Sequence, residues 1–188
     1  MIFSHNKWMN YAILLAKRSK GITGKNPPVG CVIVKNDNLL SSGRTSSSGR
    51  PHAEENAINS LTEKNSLSGS TMYVTLEPCA HKNSTGMSCA KLIAASGICE
   101  VFISYIDPDP RTAGKGVTIL KKSNIKVYQS YLQDDCLDVY DGFFSRILNK
   151  KPFVSLKIAC SLDGKIALNN NQSKWITNDL SRNYVHLI

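Results

Sequence analysis

Apolar residues recur at helical spacing along the first twenty positions. Trp8, Met9, Ala12, Leu15 and Ala16 fall on one stripe, which predicts an amphipathic helix over 5–20, with Ser4 as N-cap and Gly21 as its stop. Residues 29–34 form a short unbroken apolar run, the pattern of a buried strand. Leu39 and Leu40 open a second strand, and the Ser- and Gly-rich stretch 41–50 reads as a loop. Helical spacing returns over 53–61, and 71–76 is a strand rich in β-branched and aromatic residues. The remaining pattern predicts helices over 89–95, 117–122 and 137–148 and strands over 101–105 and 125–128. Val139, Tyr140, Phe143, Phe144 and Ile147 form the apolar side of the last helix. Strands alternating with helices predict a layered α/β domain over residues 1–149.

Beyond Pro152 the pattern changes. Residues 153–159 look like a strand, Ser161-Leu162-Asp163-Gly164 like a turn, and the final residues like the start of a helix. Residues 150–188 are too few to bury a core of their own. They read as a linker and the incomplete start of a second domain.

Composition adds constraints. Of 188 residues, 41% are hydrophobic and 20% charged, ordinary values for a globular protein that buries a core. Lys and Arg number 23 against 14 acids, a formal charge of +9 that favours anionic partners. The basic residues are scattered, so a solvated Lys-rich surface accounts for them equally well. No run of 18 apolar residues occurs, which argues against a membrane span. Cysteines at 31, 79, 89, 99, 136 and 160 are irregularly spaced, and no secretory leader precedes them. The expectation is a reducing, cytoplasmic compartment, with thiols either free or bound to metal.

The chemistry concentrates in His52-Ala53-Glu54, Pro78-Cys79 and Cys89. Zinc takes nitrogen and sulfur ligands in tetrahedral geometry, and catalytic sites use three protein ligands with water in the fourth place. His52, Cys79 and Cys89 supply such a set. Cys89 opens a helix, where the N-terminus favours the thiolate that metal binding requires. Bound zinc lowers the pKa of its water to ~7 and so supplies hydroxide at neutral pH. Glu54, two residues beyond His52, is placed to reach that water without binding the metal. Hydroxide attack on an amino-bearing ring carbon, with Glu54 shuttling the proton, is the chemistry of zinc nucleobase deaminases, whose signature has a His-x-Glu followed by Pro-Cys-x-x-Cys. Each piece alone is ordinary: a His-x-Glu often merely starts a helix, and two cysteines ten apart are often unrelated. With His81 as a fourth ligand the same residues would make a structural site.

Several longer stretches carry a resemblance: Asn26-Pro-Pro-Val-Gly30, Pro51-His-Ala-Glu54, Tyr73-Val-Thr-Leu-Glu-Pro-Cys-Ala-His81, Asp107-Pro-Asp-Pro110 and Ala113-Gly-Lys-Gly116. The chain resembles the deaminase domain of the bifunctional riboflavin-biosynthesis deaminase/reductases. Ser155-Leu-Lys-Ile-Ala-Cys-Ser-Leu-Asp-Gly-Lys165 and Ser173-Lys-Trp-Ile-Thr177 resemble the start of the reductase domain. The resemblance implies an α/β fold, a three-layer α/β/α cytidine-deaminase-like domain with a mixed central sheet and a short C-terminal reductase remnant. It implies hydrolytic deamination of diaminohydroxyphosphoribosylaminopyrimidine, with zinc on His52, Cys79 and Cys89 and Glu54 as proton shuttle. It also places Asn26, His81 and Asp107 in the substrate pocket. In the tail, Ser173 matches a substrate contact, and Ala159 and Trp175 match nicotinamide-cofactor contacts. NADPH is expected only where the rest of the reductase domain is present, so no reductase activity is expected from this chain alone. The implied partner is a phosphorylated pyrimidine rather than nucleic acid or membrane, together with self-association or a separate reductase.

The chain also departs from the family pattern. Nine residues separate Cys79 from Cys89 where the family usually has eight, and the basic residue expected to meet the substrate phosphate is absent from its slot, with Lys82 nearby. Thr45 stands where a pocket histidine is common, and Asp109 where an Asn is usual. A nucleotide or tRNA adenosine deaminase and an inactive zinc module remain the rival readings. The wide cysteine spacing and Glu54 argue against them in turn.

Overall fold

The computed structural model describes residues 2–62, 67–81, 86–110 and 112–186. The chain divides into two compact units, Met1–Pro152 and Phe153–Ile188. The first is built in the order α1 (Ile2–Lys17), β1 (Gly30–Lys35), β2 (Asn38–Arg44), α2 (Ala53–Asn59), β3 (Thr71–Leu76), α3 (Cys89–Ala94), β4 (Glu100–Tyr105), α4 (Lys115–Lys122), β5 (Lys126–Tyr128) and α5 (Leu137–Phe144). The sheet order is β2-β1-β3-β4-β5. The hairpin β1–β2 and the pair β1–β3 are antiparallel, whereas β3–β4 and β4–β5 are parallel. The sheet is therefore mixed, as the resemblance implies. Each parallel connection carries a helix, as parallel crossovers require.

Two glycines show how the layers close. Side chains alternate faces along a strand, so Gly30 and its neighbour Cys31 point opposite ways. A Cβ on Gly30 would lie 1.9 Å from the carbonyl of Ala12 in α1. Gly43, paired with Cys31 across the hairpin, would place a Cβ 2.3 Å from the carbonyl of Ala53 in α2. The two helices therefore pack on opposite faces of the sheet. The core between them includes Met9, Ile13, Val32, Ile58, Met72, Val74, Ile93, Ile103 and Leu120.

Three expectations for the first unit need correction. The first helix begins at Ile2 and ends at Lys17, so Ser4 lies inside it rather than at its cap. Its hydroxyl donates instead to Asp37, which also accepts from the Trp8 indole at 2.7 Å. Residues 41–44 are strand, not loop. Ser41, Ser42 and Gly43 are small, which close helix packing demands at Gly43, and they mimic a turn composition. The last helix of the first unit is α-helical only to Phe144 and continues as one π turn over Ser145–Asn149.

The second unit holds one helix, α6 (Asp179–Val185), capped where the Asn178 side chain accepts the Ser181 amide at 2.9 Å. Residues 153–159 have no ladder partner and form no strand, because an apolar run becomes a strand only when its amides are paired. No helix among the described residues is long and apolar enough to cross a membrane.

Candidate active site

β3 ends at Leu76, and Glu77-Pro78-Cys79 continue into the space between α2 and α3. His52 is the N-cap of α2 with extended backbone, and Ala53 and Glu54 form its first turn. Cys89 is the first residue of α3, whose N-cap Ser88 accepts the Lys91 amide. Three element ends thus converge on one point. The ligand atoms of His52, Cys79 and Cys89 lie within 4.8 Å of one another. His52 Nδ1 stands 3.4 Å from Cys89 Sγ, and the Cys89 amide donates to Cys79 Sγ at 3.4 Å. A tetrahedral zinc with ordinary Zn–N and Zn–S bonds separates its nitrogen and sulfur ligands by about 3.5 Å. The donor set therefore fits zinc, with three protein ligands and room for a fourth.

The electrostatics favour the same conclusion. The Cys89 thiol hydrogen-bonds Cys79, so the pair shares one proton: Cys79 is held well below the usual thiol range and Cys89 well above it. A thiolate is ready at Cys79, and a cation arriving between the sulfurs would displace the second proton. Glu54 is buried, and burial pushes its carboxyl up to about 7 against the opposing charge of His52.

A cavity of about 70 Å³ opens over this cluster. His52, Glu54 and Cys79 line it together with Asn26, His81, Asp107, Thr45 and Asp109. All three pocket residues expected within the first unit are thus brought to the metal cluster. Each is also tied locally. Asn26 Nδ2 donates to the Gly49 carbonyl at 2.9 Å, the Asp107 carboxylate accepts the Asp109 amide at 2.9 Å, and His81 Nδ1 stands 3.4 Å from the Thr112 hydroxyl. Thr45 accepts the Val29 amide at 2.9 Å and donates to the Pro27 carbonyl at 3.1 Å, which fixes the loop carrying Asn26. Ser173 and Trp175 line a separate hollow within the second unit, along with Ser161, Asp163 and Lys165, but Ala159 does not. Lys82, in the divergent stretch before Cys89, lies outside the described residues.

The sequence reading passed over Glu77, Lys25 and Arg146, and took Phe143 and Ile147 only as core. All five line the cavity. Glu77 is buried and accepts the amides of Gly114 at 2.9 Å, Val117 at 3.0 Å and Asp107 at 3.3 Å. Its carboxylate thereby clasps the start of α4 and the loop that presents Asp107 and Asp109. Its position beside Pro78-Cys79 was the available signal. Phe143, Arg146 and Ile147 gave none, because nothing in a helical pattern announces that its end overhangs a cavity.

Comparison with known proteins agrees with this geometry. The profile of the cytidine and deoxycytidylate deaminase zinc-binding region matches residues 3–105, and that of the RibD C-terminal domain matches residues 152–188. A riboflavin biosynthesis protein RibD from Actinobacillus pleuropneumoniae is 43% identical over 175 residues, which is 93% of this chain and 46% of that protein. A Thermotoga maritima structure, titled a diaminohydroxyphosphoribosylaminopyrimidine deaminase/5-amino-6-(5-phosphoribosylamino)uracil reductase, superposes with a TM-score of 0.90 at 38% identity. It covers 98% of this chain and 53% of its own. Acinetobacter baumannii RibD gives a TM-score of 0.86 at 40% identity, over 98% of this chain and 51% of its own. The chain thus spans about half the length of the relatives it matches.

Proposed function

Because the chain belongs to the zinc-binding cytidine and deoxycytidylate deaminase family, in the branch of the riboflavin-biosynthesis deaminase/reductases, we propose that it hydrolytically deaminates diaminohydroxyphosphoribosylaminopyrimidine. The observation that carries this reading is the convergence of His52, Cys79 and Cys89 beneath a cavity whose wall includes Glu54. A purely structural metal site has no use for a buried carboxylate in the wall of a cavity that opens over the ligands.

In this reading His52, Cys79 and Cys89 hold zinc. When bound, the metal supplies Lewis-acid activation of water near neutral pH. The chain's own residues do the rest. Glu54 takes a proton from the attacking water on its carboxylate and delivers it to the departing amino nitrogen. A C–O bond forms, the C–N bond breaks and ammonia leaves; the second proton of the water ends on the adjacent ring nitrogen, which leaves a carbonyl on the carbon. Burial of Glu54 keeps competing water from its carboxylate. Asn26, His81 and Asp107 surround the ring and hold it with the amino-bearing carbon toward the metal. Their local hydrogen bonds pre-set them for this, which lowers the ordering that binding must impose.

Ammonia release from the phosphorylated diaminopyrimidine, measured with the zinc-loaded chain and with Glu54→Gln, tests the proposal. The parent should release ammonia and the variant should be slower by roughly 10²–10⁴-fold while still holding one zinc per chain. A folded, zinc-bound parent that releases none would sink it.

A further inference from the structure

The cavity lining carries charges of both signs. Glu54, Glu77, Asp107 and Asp109 are among its lining residues, and the anionic end of a phosphorylated ligand is better received by lining cations. Lys25 and Arg146 line it too, together with Phe143 and Ile147. Both cations are exposed, at the cavity mouth rather than in its depth. Among the described residues the ion-paired cations are Lys17, Lys126 and Arg182, so neither mouth cation is neutralised by a carboxylate.

Arg146 is held in place without being consumed. One terminal nitrogen, Nη2, donates to the Lys25 carbonyl at 2.5 Å, and the guanidinium sits 5.6 Å from the Phe143 ring centre. The remaining N–H groups of its planar fork are left for a ligand, and that fork matches the spacing of phosphate oxygens. The same hydrogen bond ties the 145–149 segment to the loop of Lys25 and Asn26, so both cations are presented from a joined edge. The π turn over Ser145–Asn149 contributes to this. It widens the backbone after α5, and Arg146 and Ile147, adjacent in sequence, both line the cavity. Such turns inside helices often mark functional sites.

We propose that Arg146, assisted by Lys25, binds the phosphate of the substrate at the cavity mouth and so fixes which end of the ligand enters. The proposal rests on the deaminase reading only for the identity of the ligand. It also accounts for the missing basic residue before Cys89: the anion is received from the α5 side of the cavity instead.

The first test needs no turnover. Ribose 5-phosphate is titrated calorimetrically into the zinc-loaded full chain, into Arg146→Ala, Arg146→Lys and Lys25→Ala, and ribose into the parent as the uncharged control. Arg146 is exposed, so the variants should fold, which circular dichroism and zinc content verify. The parent should bind ribose 5-phosphate and not ribose. Arg146→Ala should bind about ten- to a hundredfold more weakly, with Arg146→Lys in between because it keeps the charge but loses the fork. A parent that binds neither sugar, or an Arg146→Ala that binds as the parent does, overturns the proposal. Ammonia release then separates the two readings. Binding lost in Arg146→Ala alongside a parent inactive on the diaminopyrimidine leaves the anion site standing and removes the deaminase assignment. With an active parent, Arg146→Ala should raise KM for the phosphorylated substrate and leave KM for its dephosphorylated counterpart unmoved.

Discussion

At the scale of single residues, the metal cluster dictates a pH dependence with a definite sign. Zinc binds the neutral imidazole and the thiolates, so every proton these groups carry competes with it. Cys89 carries the shared proton of the thiol pair and holds it more tightly than a free thiol does. Zinc affinity should therefore rise with pH through neutrality and fall as the solution is acidified. Cys79→Ser should lower affinity at every pH, since a hydroxyl does not ionise there. Competition with a chelating dye across pH 5.5–8.5, a range of roughly three units around neutrality, would check this. A flat profile would mean that the thiols are not ligands. This cluster was legible in the sequence because residue type and order alone define it. Arg146 was not, because its role depends on where a helix end comes to lie.

Packing at the element scale separates two glycines that look alike in the sequence. Gly30→Ala and Gly43→Ala each drive a methyl group into helix backbone, at 1.9 Å from Ala12 and 2.3 Å from Ala53. Backbone cannot rotate aside as a flexible side chain can, so each should cost about 1–3 kcal/mol or more, a fall in Tm of several degrees at roughly 2–4 °C per kcal/mol for a chain of this size. Their functional effects should differ. α1 carries none of the metal cluster, so Gly30→Ala should lower Tm and leave zinc affinity near that of the parent. α2 begins at Ala53, between His52 and Glu54, so Gly43→Ala should lower Tm and weaken zinc binding together. Thermal melts with and without zinc, beside chelator titrations, would distinguish them; equal zinc affinity in both variants would contradict the picture. The same glycines explain why 41–44 read as loop. Gly and Ser were taken as turn formers, but here they are strand residues made small by the helix above them. Thr71–Leu76, built from β-branched, aromatic and large apolar residues without Gly or Ser, was recovered end for end.

For the whole molecule, burial is unevenly shared. Every buried hydrophobic residue among those described lies between Trp8 and Tyr140. Past Pro152, Val154, Leu156, Leu162 and Leu180 are exposed, Leu156 to 81%. The second unit is held by local contacts instead: the Ser161 hydroxyl accepting the Lys165 amide at 3.0 Å, Leu168 donating to Gln172 at 2.8 Å, and the Arg182 guanidinium 4.2 Å over Trp175. Residues 153–159 were misread as a strand for this reason. An apolar run records what the chain would bury, and it becomes a strand only beside another strand. Segments held by local contacts open at little free-energy cost, whereas a packed sheet opens only with its global unfolding. Brief trypsin treatment of the zinc-loaded chain should therefore cut at Lys157, Lys165, Lys174 or Arg182 before any site within the strands β1–β5. The surviving N-terminal product should keep its zinc and melt within roughly 2 °C of the intact chain, as expected when two units unfold independently. Mass spectrometry of the first product and a melt of the digest decide it. First cleavage within β1–β5 would contradict this order of opening, and a melt displaced by the loss of the tail would show that the tail contributes to the stability of the first unit.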